Sequence, residues 1–531
     1  MNATFHPIQA YTTIVPKKKV TAYVKKNSYN EYIVKDTDQK ERTCFKKVIP
    51  LVDFVKYLSG KYKQENILVL PTHAPAEETP FVSCIQSPHN YAYVDSFFYC
   101  LTSNLKEAGF THGMEVFDHY VCLEDNVEIN IADDFEYICD SSFFKDRLNH
   151  DFFFKEEELN NLLQEKKLDP IHITEETCAF ELDDLEAKTE DEAEDNPEDK
   201  DKVLSPLTTT VTEVLDMEPE TTSVEVEEIE DLGLEDTDDA VTEEVDFDLD
   251  ADGSDLSFTE DEEEEEEMTM DSDCETPEML QDMVLNIKKM PVQVVTLEKC
   301  EDTLDSLLET DAMRMEELES AMFQIIVMLY TYQQIFHFTH NDLHTNNIMF
   351  VHTDQEFLCY KVLGHTYQVP TFGKLYKIID FGRAIYEVNG KRICSDSFSE
   401  IGMAHSQYNC EPFLNPSKPV IEPNYSFDLC RLACSMLDFI IDDLKEIDHF
   451  REVPIYDLIL SWVYDDHGMN ILYKKNGEDR YPEFKLYKMI ARIVHQHVPE
   501  KQFEHECFAK YRTNTGKIDM DIDALITNHK A

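Results

Sequence analysis

The chain reads HNDLHTNNIMF from His340 to Phe350, and this polar stretch lies between two apolar segments. The segment before it has apolar residues at helical spacing from Met322 to Tyr330, which predicts a long helix that ends near His337. Within the polar stretch, Asp342 offers a carboxylate and Asn347 offers an amide oxygen five residues later. Both groups lie on one loop, which makes this stretch the strongest candidate for a functional site.

Two further stretches add chemically specific residues downstream. LYKIIDFGRAI begins as an apolar strand and then presents Asp380, followed by Gly382. A carboxylate at a strand end suits a magnesium ion, and glycine permits an unusual backbone turn beside it. NYSFDLCRLACSML places Asp428 at the start of a helix with an apolar stripe, where it can cap the helix N-terminus.

In this order and spacing, the stretches resemble the H-R-D-L-x-x-x-N and D-F-G elements of protein kinases. Together with VPTFGKLYKIIDFGRAI and NGEDRYPEFKLYKMIAR, they are similar to the serine/threonine kinase-like proteins of large nucleocytoplasmic DNA viruses. The resemblance covers nearly all of residues 290–500 and, more weakly, 40–125. It implies an α+β, bilobal protein-kinase-like fold, with a small β-rich N-lobe and a larger helical C-lobe, and phosphoryl transfer from ATP with Mg²⁺.

The resemblance also implies catalytic roles for the polar stretch. Asp342 would be the base that meets the acceptor hydroxyl, and Asn347 and Asp380 would hold metal ions. His344 stands where kinases usually have a lysine that steadies the transferring phosphate. A charged His344 could replace that lysine, a neutral one could donate a single hydrogen bond, and a plain structural histidine is the alternative.

Other positions are implied to support the site or the nucleotide. His340 would bind backbone near Asp380, and Asp428 would accept hydrogen bonds from the backbone of the polar loop. The sequence VVTLEKC looks like the strand and hinge that hold adenine, so backbone groups of Glu298 and Cys300 would face the purine. Glu411 and Arg480 are expected to form an internal ion pair.

The phosphate-binding half of the site departs from the kinase pattern. No glycine precedes Gly60, so the turn at residues 26–29 lacks the G-x-G-x-x-G loop. In CFKKVIPLVDF, the register of the resemblance favours Lys47 over Lys46 as the phosphate-contacting lysine. Its acidic partner would be Asp95 or Glu107. Both lysines could instead be solvated on a strand edge.

Charge is concentrated in one segment of the chain. Between residues 174 and 282 there are 47 Asp or Glu against three Lys, so this segment carries −44 of the net charge of −63. Such a composition cannot bury enough apolar surface to offset the entropy of ordering. The predicted organisation is a first part of the N-lobe at 1–153, a disordered acidic insertion at 154–285, the last N-lobe strand and hinge at 286–303, and the helical C-lobe at 304–531.

The same composition restricts the partners. An acidic surface repels phosphate backbones and anionic lipid, so we expect no direct nucleic-acid or membrane partner, whereas the acidic insertion could dock to a basic one. No apolar run approaches the 18 or so residues of a membrane span. The 14 cysteines form no C-x-x-C pair, which disfavours a zinc module. A soluble, intracellular protein is predicted, in the host cytoplasm or packaged in the virion if viral.

Three functions remain open on the sequence. The first is an active kinase that phosphorylates a protein Ser or Thr hydroxyl. The second is a pseudokinase scaffold that binds partners without turnover, which the missing glycine-rich loop favours. The third is a small-molecule alcohol kinase, because H-x-D-L-H-x-x-N also appears in kinases of that kind.

Overall fold

The computed structural model describes residue 7 and residues 19–62, 66–72, 79–132, 134–154, 283–310, 313–441, 444–474 and 476–529. The predicted acidic insertion therefore lies outside the described residues except at its two ends. At these ends the predicted boundaries shift, because Phe154 ends one strand and Val284 begins another. Leu285 is fully buried and pairs with Phe154, so both of these ends belong to one β-sheet.

The fold is mixed α+β, as predicted, and its first sheet has six antiparallel strands. They are β1 (Ala22–Lys26), β2 (Glu31–Lys35), β3 (Glu41–Pro50), β4 (Val116–Asn130), β5 (Phe152–Phe154) and β6 (Val284–Glu298). Their order is β1-β2-β3-β6-β4, with β5 also paired to β6. Every residue of β6 from Met290 to Leu297 is buried, as expected for a central strand that is covered on both faces.

Pairing between β3 and β6 decides where two neighbouring lysines point. Lys46 lies opposite Thr296 and Lys47 lies opposite Val295. Because successive side chains alternate along a strand, these two lysines project from opposite faces of the sheet.

Five helices accompany this sheet: α1 (Phe54–Leu58), α2 (Pro80–Gln86), α3 (Tyr91–Glu107), α4 (Phe135–Asp140) and α5 (Ser142–Arg147). Helix α3 begins after Asn90, whose side chain accepts a hydrogen bond from the Ala92 N–H. All residues of α3 from Ala92 to Thr102 are buried, and Asp95 is among them. A buried carboxylate is costly unless it is paired, so Asp95 requires a partner.

The chain after β6 contains eight helices within the described residues. They are α6 (Leu304–Glu309), α7 (Met315–Phe336), α8 (Phe427–Ile440), α9 (Ile447–Phe450), α10 (Pro454–Ser461), α11 (Lys485–Ile493), α12 (Pro499–Gln502) and α13 (Ile522–His529). The predicted long helix is α7, which ends at Phe336 with His337 in the left-handed conformation. Of the helices in the described part of the chain, none has the length and apolarity to cross a bilayer.

The expectation that this later part is essentially helical was incomplete, because nine short strands occur there. They are β7 (Asp302–Thr303), β8 (Ile348–His352), β9 (Phe357–Val362), β10 (His365–Pro370), β11 (Lys374–Ile378), β12 (Ile385–Val388), β13 (Lys391–Cys394), β14 (Arg512–Thr513) and β15 (Met520–Asp521). They form the sheets β11-β8-β7 and β14-β10-β9-β15 and the hairpin β12-β13. Leu363 and Gly364 join β9 to β10, and both have positive φ, as a tight two-residue hairpin turn requires.

An aromatic cluster joins α3 to the later part of the chain. The ring of Phe98 lies 4.3 Å from that of Phe338 and 4.7 Å from that of Phe381, between ring centroids. These residues precede the polar loop and follow Asp380, so the core itself brings α3 beside both stretches.

Candidate active site

Lys47 bridges two carboxylates that come from different parts of the chain. Its Nζ lies 2.9 Å from Asp95 Oδ2 on α3 and 2.9 Å from Asp380 Oδ1, which follows β11. The Asp95 side chain is 1 % exposed, whereas that of Asp380 is 54 % exposed. The buried carboxylate thus has its partner, and the exposed one is left accessible from solvent.

Lys46 and Glu107, the alternatives for the lysine and for its acidic partner, lie elsewhere. Lys46 projects from the opposite face of the sheet and pairs with Glu124 at 2.5 Å. Glu107 is the last residue of α3, which places it about 18 Å along the helix axis from Asp95 at 1.5 Å per residue. The structure therefore brings Lys47, Asp95 and Asp380 together and leaves Lys46 and Glu107 out.

Charges in this group reinforce one another. Burial alone would lower the pKa of Lys47, but Asp380 and Asp95 raise that pKa well above its usual value. Lys47 in turn lowers the pKa of Asp380. Burial raises the pKa of Asp95 even though Lys47 opposes the rise. The lysine is accordingly held as a cation between the two carboxyl groups.

Backbone hydrogen bonds lock α3 to the Asp380 segment. Asp95 Oδ1 accepts a 2.6 Å bond from the Phe381 N–H, and the Tyr99 hydroxyl oxygen accepts a 2.8 Å bond from the Asp380 N–H. The unusual backbone conformation predicted at Gly382 occurs instead at Asp380, where φ is 64°. A Cβ added at Gly382 would meet no atom closer than 3.7 Å, so this turn does not require glycine there.

Asp428 organises the polar loop from the start of α8. Its fully buried carboxylate accepts 2.9 Å bonds from the backbone N–H groups of His340 and Asn341. The His340 ring nitrogen Nε2 lies 2.9 Å from the carbonyl oxygen of Ile379, directly before Asp380. These bonds fix the loop relative to the Asp380 segment.

Asn347 and His344 share a hydrogen bond. The Asn347 Nδ2 group donates to the Asp342 carbonyl oxygen at 2.9 Å and contacts His344 Nε2 at 3.1 Å. Both amide hydrogens are thereby used, and the Asn347 oxygen is presented away from these partners. Burial lowers the pKa of His344, so the imidazole is neutral and accepts the amide hydrogen at Nε2. Of the readings open on the sequence, a charged replacement for lysine is disfavoured.

The Asp342 carboxylate has two partners that the sequence did not predict. Its Oδ1 accepts a 2.8 Å bond from the Tyr487 hydroxyl, and its Oδ2 lies 3.4 Å from Arg383 Nη1. Arg431, one turn along α8 from Asp428, donates from Nε to the Tyr487 hydroxyl oxygen at 3.0 Å. Tyr487 lies 145 residues after Asp342 in an ordinary amphipathic helix, so no local signal marks it.

At the end of β6, the Glu298 side chain is part of an ion-pair group. Its Oε1 lies 2.6 Å from Lys106 Nζ and 3.2 Å from the buried Lys377 Nζ. Although burial opposes ionisation, these lysines lower the pKa of Glu298 to about 2. The Glu298 N–H donates to the Glu115 carbonyl oxygen, so it cannot contact a purine without breaking that bond. The nearby Cys300 is buried beside Met114.

The turn between β1 and β2 is directed to the other side of the sheet. The Tyr29 hydroxyl oxygen accepts a 3.1 Å bond from the Glu128 N–H, and Tyr29 is an electrostatic neighbour of Lys46 and Glu124. Its side chain therefore belongs to the Lys46 face and not to the Lys47 face.

Asn341 stands where the kinase pattern H-R-D has arginine. It is buried with φ 65°; its Nδ2 donates to the Arg383 carbonyl oxygen at 2.9 Å, and its Oδ1 accepts from the Tyr408 hydroxyl at 2.8 Å. The predicted Glu411–Arg480 ion pair is wrong: Glu411 is exposed, and the Nε of Arg480 is buried without a hydrogen-bond partner within the described residues.

No group of three His, Cys, Asp or Glu side chains in the described ranges is arranged to hold a metal ion. Comparison with known proteins gave no matching family model and no similar curated protein.

Proposed function

We propose that this protein has a bilobal kinase-like fold and transfers the γ-phosphoryl group of ATP to a protein Ser or Thr hydroxyl with the help of Mg²⁺. The observation that carries the proposal is the Lys47 bridge between Asp95 and Asp380. A strand lysine paired with a helix carboxylate, beside a second carboxylate that can take a metal, is the arrangement that protein kinases use. Asp342 and Asn347 lie on the neighbouring loop, where the Asn347 carbonyl oxygen accepts a 3.0 Å bond from the Ile379 N–H, directly before Asp380.

The residues present fit a magnesium ion that is held jointly with phosphates. Mg²⁺ in such sites is bound through one or two carboxylates together with substrate phosphates and water, not by an all-protein cage. Asp380 is exposed and ionised, and the Asn347 amide oxygen is presented by the two bonds its nitrogen donates. When bound, the ion would neutralise charge on the phosphates.

The chain's own groups then have separable roles. Lys47 would contact the α- and β-phosphates with its charge already fixed by Asp95. Asp342 would accept the proton of the acceptor hydroxyl, because a positioned carboxylate within hydrogen-bond reach can act as a general base. Asp428 and His340 would hold the loop so that Asp342 keeps its place. Because the Glu298 N–H is already bonded to the Glu115 carbonyl oxygen, the purine would meet the Glu298 carbonyl oxygen and the backbone of Cys300.

One observation favours a second candidate, a pseudokinase scaffold. The turn at residues 26–29 has no glycine, and Tyr29 lies on the face opposite Lys47. A loop of that kind covers phosphates poorly, because glycine allows the closest approach of backbone to phosphate. A scaffold would bind partners without any transfer that depends on Asp342.

Turnover with labelled ATP separates the two. Full-length protein with Mg²⁺ and γ-labelled ATP should label itself or a mixed protein substrate, and Asp342→Ala and Lys47→Met should each reduce labelling by about 100-fold or more. The matched controls are Lys46→Met, which removes the neighbouring lysine on the other face, and Asp448→Ala, an exposed aspartate on α9. Both should retain wild-type labelling. Labelling that survives Asp342→Ala, or none by the wild type, would refute the kinase proposal.

A further inference from the structure

The base assigned above is not free to rotate, because both of its oxygens face side chains of the same protein. Oδ1 accepts the Tyr487 hydroxyl at 2.8 Å, which is an ordinary O–H···O distance. Oδ2 lies 3.4 Å from Arg383 Nη1, which is beyond a normal hydrogen bond. One oxygen is therefore tightly held, and the other is held only loosely.

Tyr487 is itself rigid. Its ring stacks on Phe484 with centroids 5.3 Å apart and planes inclined by 15°. The guanidinium groups of Arg431 and Arg383 lie 5.2 Å and 5.7 Å from its ring centroid. Aromatic stacking and cation–π contacts of this kind hold a ring in one orientation. The hydroxyl is consequently aimed at one point in the loop.

The direction of the hydrogen bonds is fixed by chemistry. Arg431 can only donate, and a tyrosine hydroxyl has a single hydrogen. Since the hydroxyl oxygen accepts from Arg431 Nε at 3.0 Å, its hydrogen goes to Asp342 Oδ1. The terminal torsion of an aspartate is otherwise broad, so this bond restricts which oxygen faces the acceptor.

We propose that Tyr487, held by Arg431, is a positioning residue for Asp342: it fixes Oδ1 so that Oδ2 is presented to the acceptor hydroxyl. The incoming hydroxyl displaces only the loose contact with Arg383. This inference rests on the proposed function, since it assigns a residue that supports the same base.

A tyrosine at this place could do something different with the same contacts. If Tyr487 occupied the position of the acceptor hydroxyl, it would compete with substrate, and its removal would speed turnover. If it served only to pack α11 against the loop, loss of the hydroxyl would leave turnover unchanged. These are the two results that contradict a positioning role.

The deciding variant is Tyr487→Phe, which removes one oxygen and retains the ring with its stacking and cation–π contacts. We expect kcat to fall by about 10- to 100-fold, because misplacement of a catalytic group costs that much, while KM for ATP changes by less than about two-fold. The matched control is Tyr473→Phe, which also removes a tyrosine–carboxylate bond, from its hydroxyl to Asp438 Oδ1 at 3.0 Å, and it should leave kcat unchanged.

A second measurement does not depend on turnover. The Tm shift caused by Tyr487→Phe should be clearly larger in the wild-type background than in an Asp342→Ala background, where only the bond from Arg431 is still lost, because contacting residues are not additive. Equal shifts in both backgrounds, or a kcat of Tyr487→Phe equal to or above that of wild type, overturn the positioning role alone. A wild type without Asp342-dependent transfer overturns the proposed function, and the positioning role fails with it.

Discussion

Replacing Asp428 tests the contact that organises the polar loop, independently of any activity. The carboxylate is fully buried and accepts two 2.9 Å bonds from the N–H groups of His340 and Asn341. Asp428→Ala would leave both donors without a partner, in a place that water does not reach. Asp428→Asn retains one acceptor oxygen but turns an NH₂ group toward the other donor.

The expected loss can be worked from these two bonds. An orphaned buried donor costs about 1–3 kcal/mol, so two of them cost about 2–6 kcal/mol. Burial raises the pKa of Asp428 to about 7, which leaves part of the population protonated at neutral pH and weakens the bonds. We therefore expect Asp428→Ala to lower the free energy of unfolding by about 2–4 kcal/mol, the lower half of that range. Asp428→Asn should lower it by about half as much.

Thermal denaturation at pH 7 measures the loss. At about 2–4 °C per kcal/mol for a chain with a large domain, Asp428→Ala should lower Tm by about 5–15 °C. Asp448→Ala, on the exposed face of α9, should change it by no more than about 1–2 °C. Hydrogen exchange of a peptide spanning residues 338–344 should accelerate in Asp428→Ala and not in Asp448→Ala.

The reasoning would be refuted by a Tm that falls no further in Asp428→Ala than in the control. It would also be refuted if the amides of His340 and Asn341 kept their protection, because those two donors would then have another partner.

Two further predictions concern stability. Burial raises the pKa of Asp396 to about 6, although the bond from the Tyr91 N–H opposes the rise. The folded state therefore holds this proton more tightly than the unfolded state does. As a result, the free energy of unfolding falls as pH rises from about 4 to about 6. Asp396→Asn should flatten that decline in Tm measured against pH, and a parallel curve would contradict it. Gly113→Ala would set a Cβ 2.0 Å from the carbonyl oxygen of Thr102 and should cost about 1–3 kcal/mol in chemical denaturation. Gly382→Ala, whose Cβ has no neighbour within 3.7 Å, is its control and should cost less than about 1 kcal/mol.

The sequence was most informative where several functional groups share a short stretch. Asp342, Asn347 and Asp380 were singled out by their order and spacing, and in the structure a backbone bond from the Ile379 N–H to the Asn347 carbonyl oxygen joins their two segments. Lys46 and Lys47 could be assigned to opposite faces, because strand alternation is local. The pairing of β3 with β6 decides which of the two faces carries the Lys47 site, and these strands are far apart in sequence. The choice between the two lysines therefore needed the resemblance or the structure.

Residues that act through tertiary contacts have no recognisable pattern in the local sequence. Tyr487 and Arg431 lie on two different helices and look like ordinary members of amphipathic stretches. The left-handed backbone was assigned to Gly382 by residue preference, whereas packing against α3 places it at Asp380. The β9–β10 hairpin did have a signal, since Leu363-Gly364 lies between two runs rich in β-branched and aromatic residues.

The central position of β6 has a consequence for biosynthesis. Both β3 and β4 pair with β6, yet about 130 residues separate the end of β5 from its start. At roughly 5–20 residues per second, the ribosome adds that length in about 6–26 s. During this interval the nascent β3 and β4 expose unpaired edges, which invite association with other chains. The strongly acidic segment leaves the ribosome in the same interval. Its charge would repel a second copy of the nascent chain until β6 has been synthesised and can pair with β3 and β4.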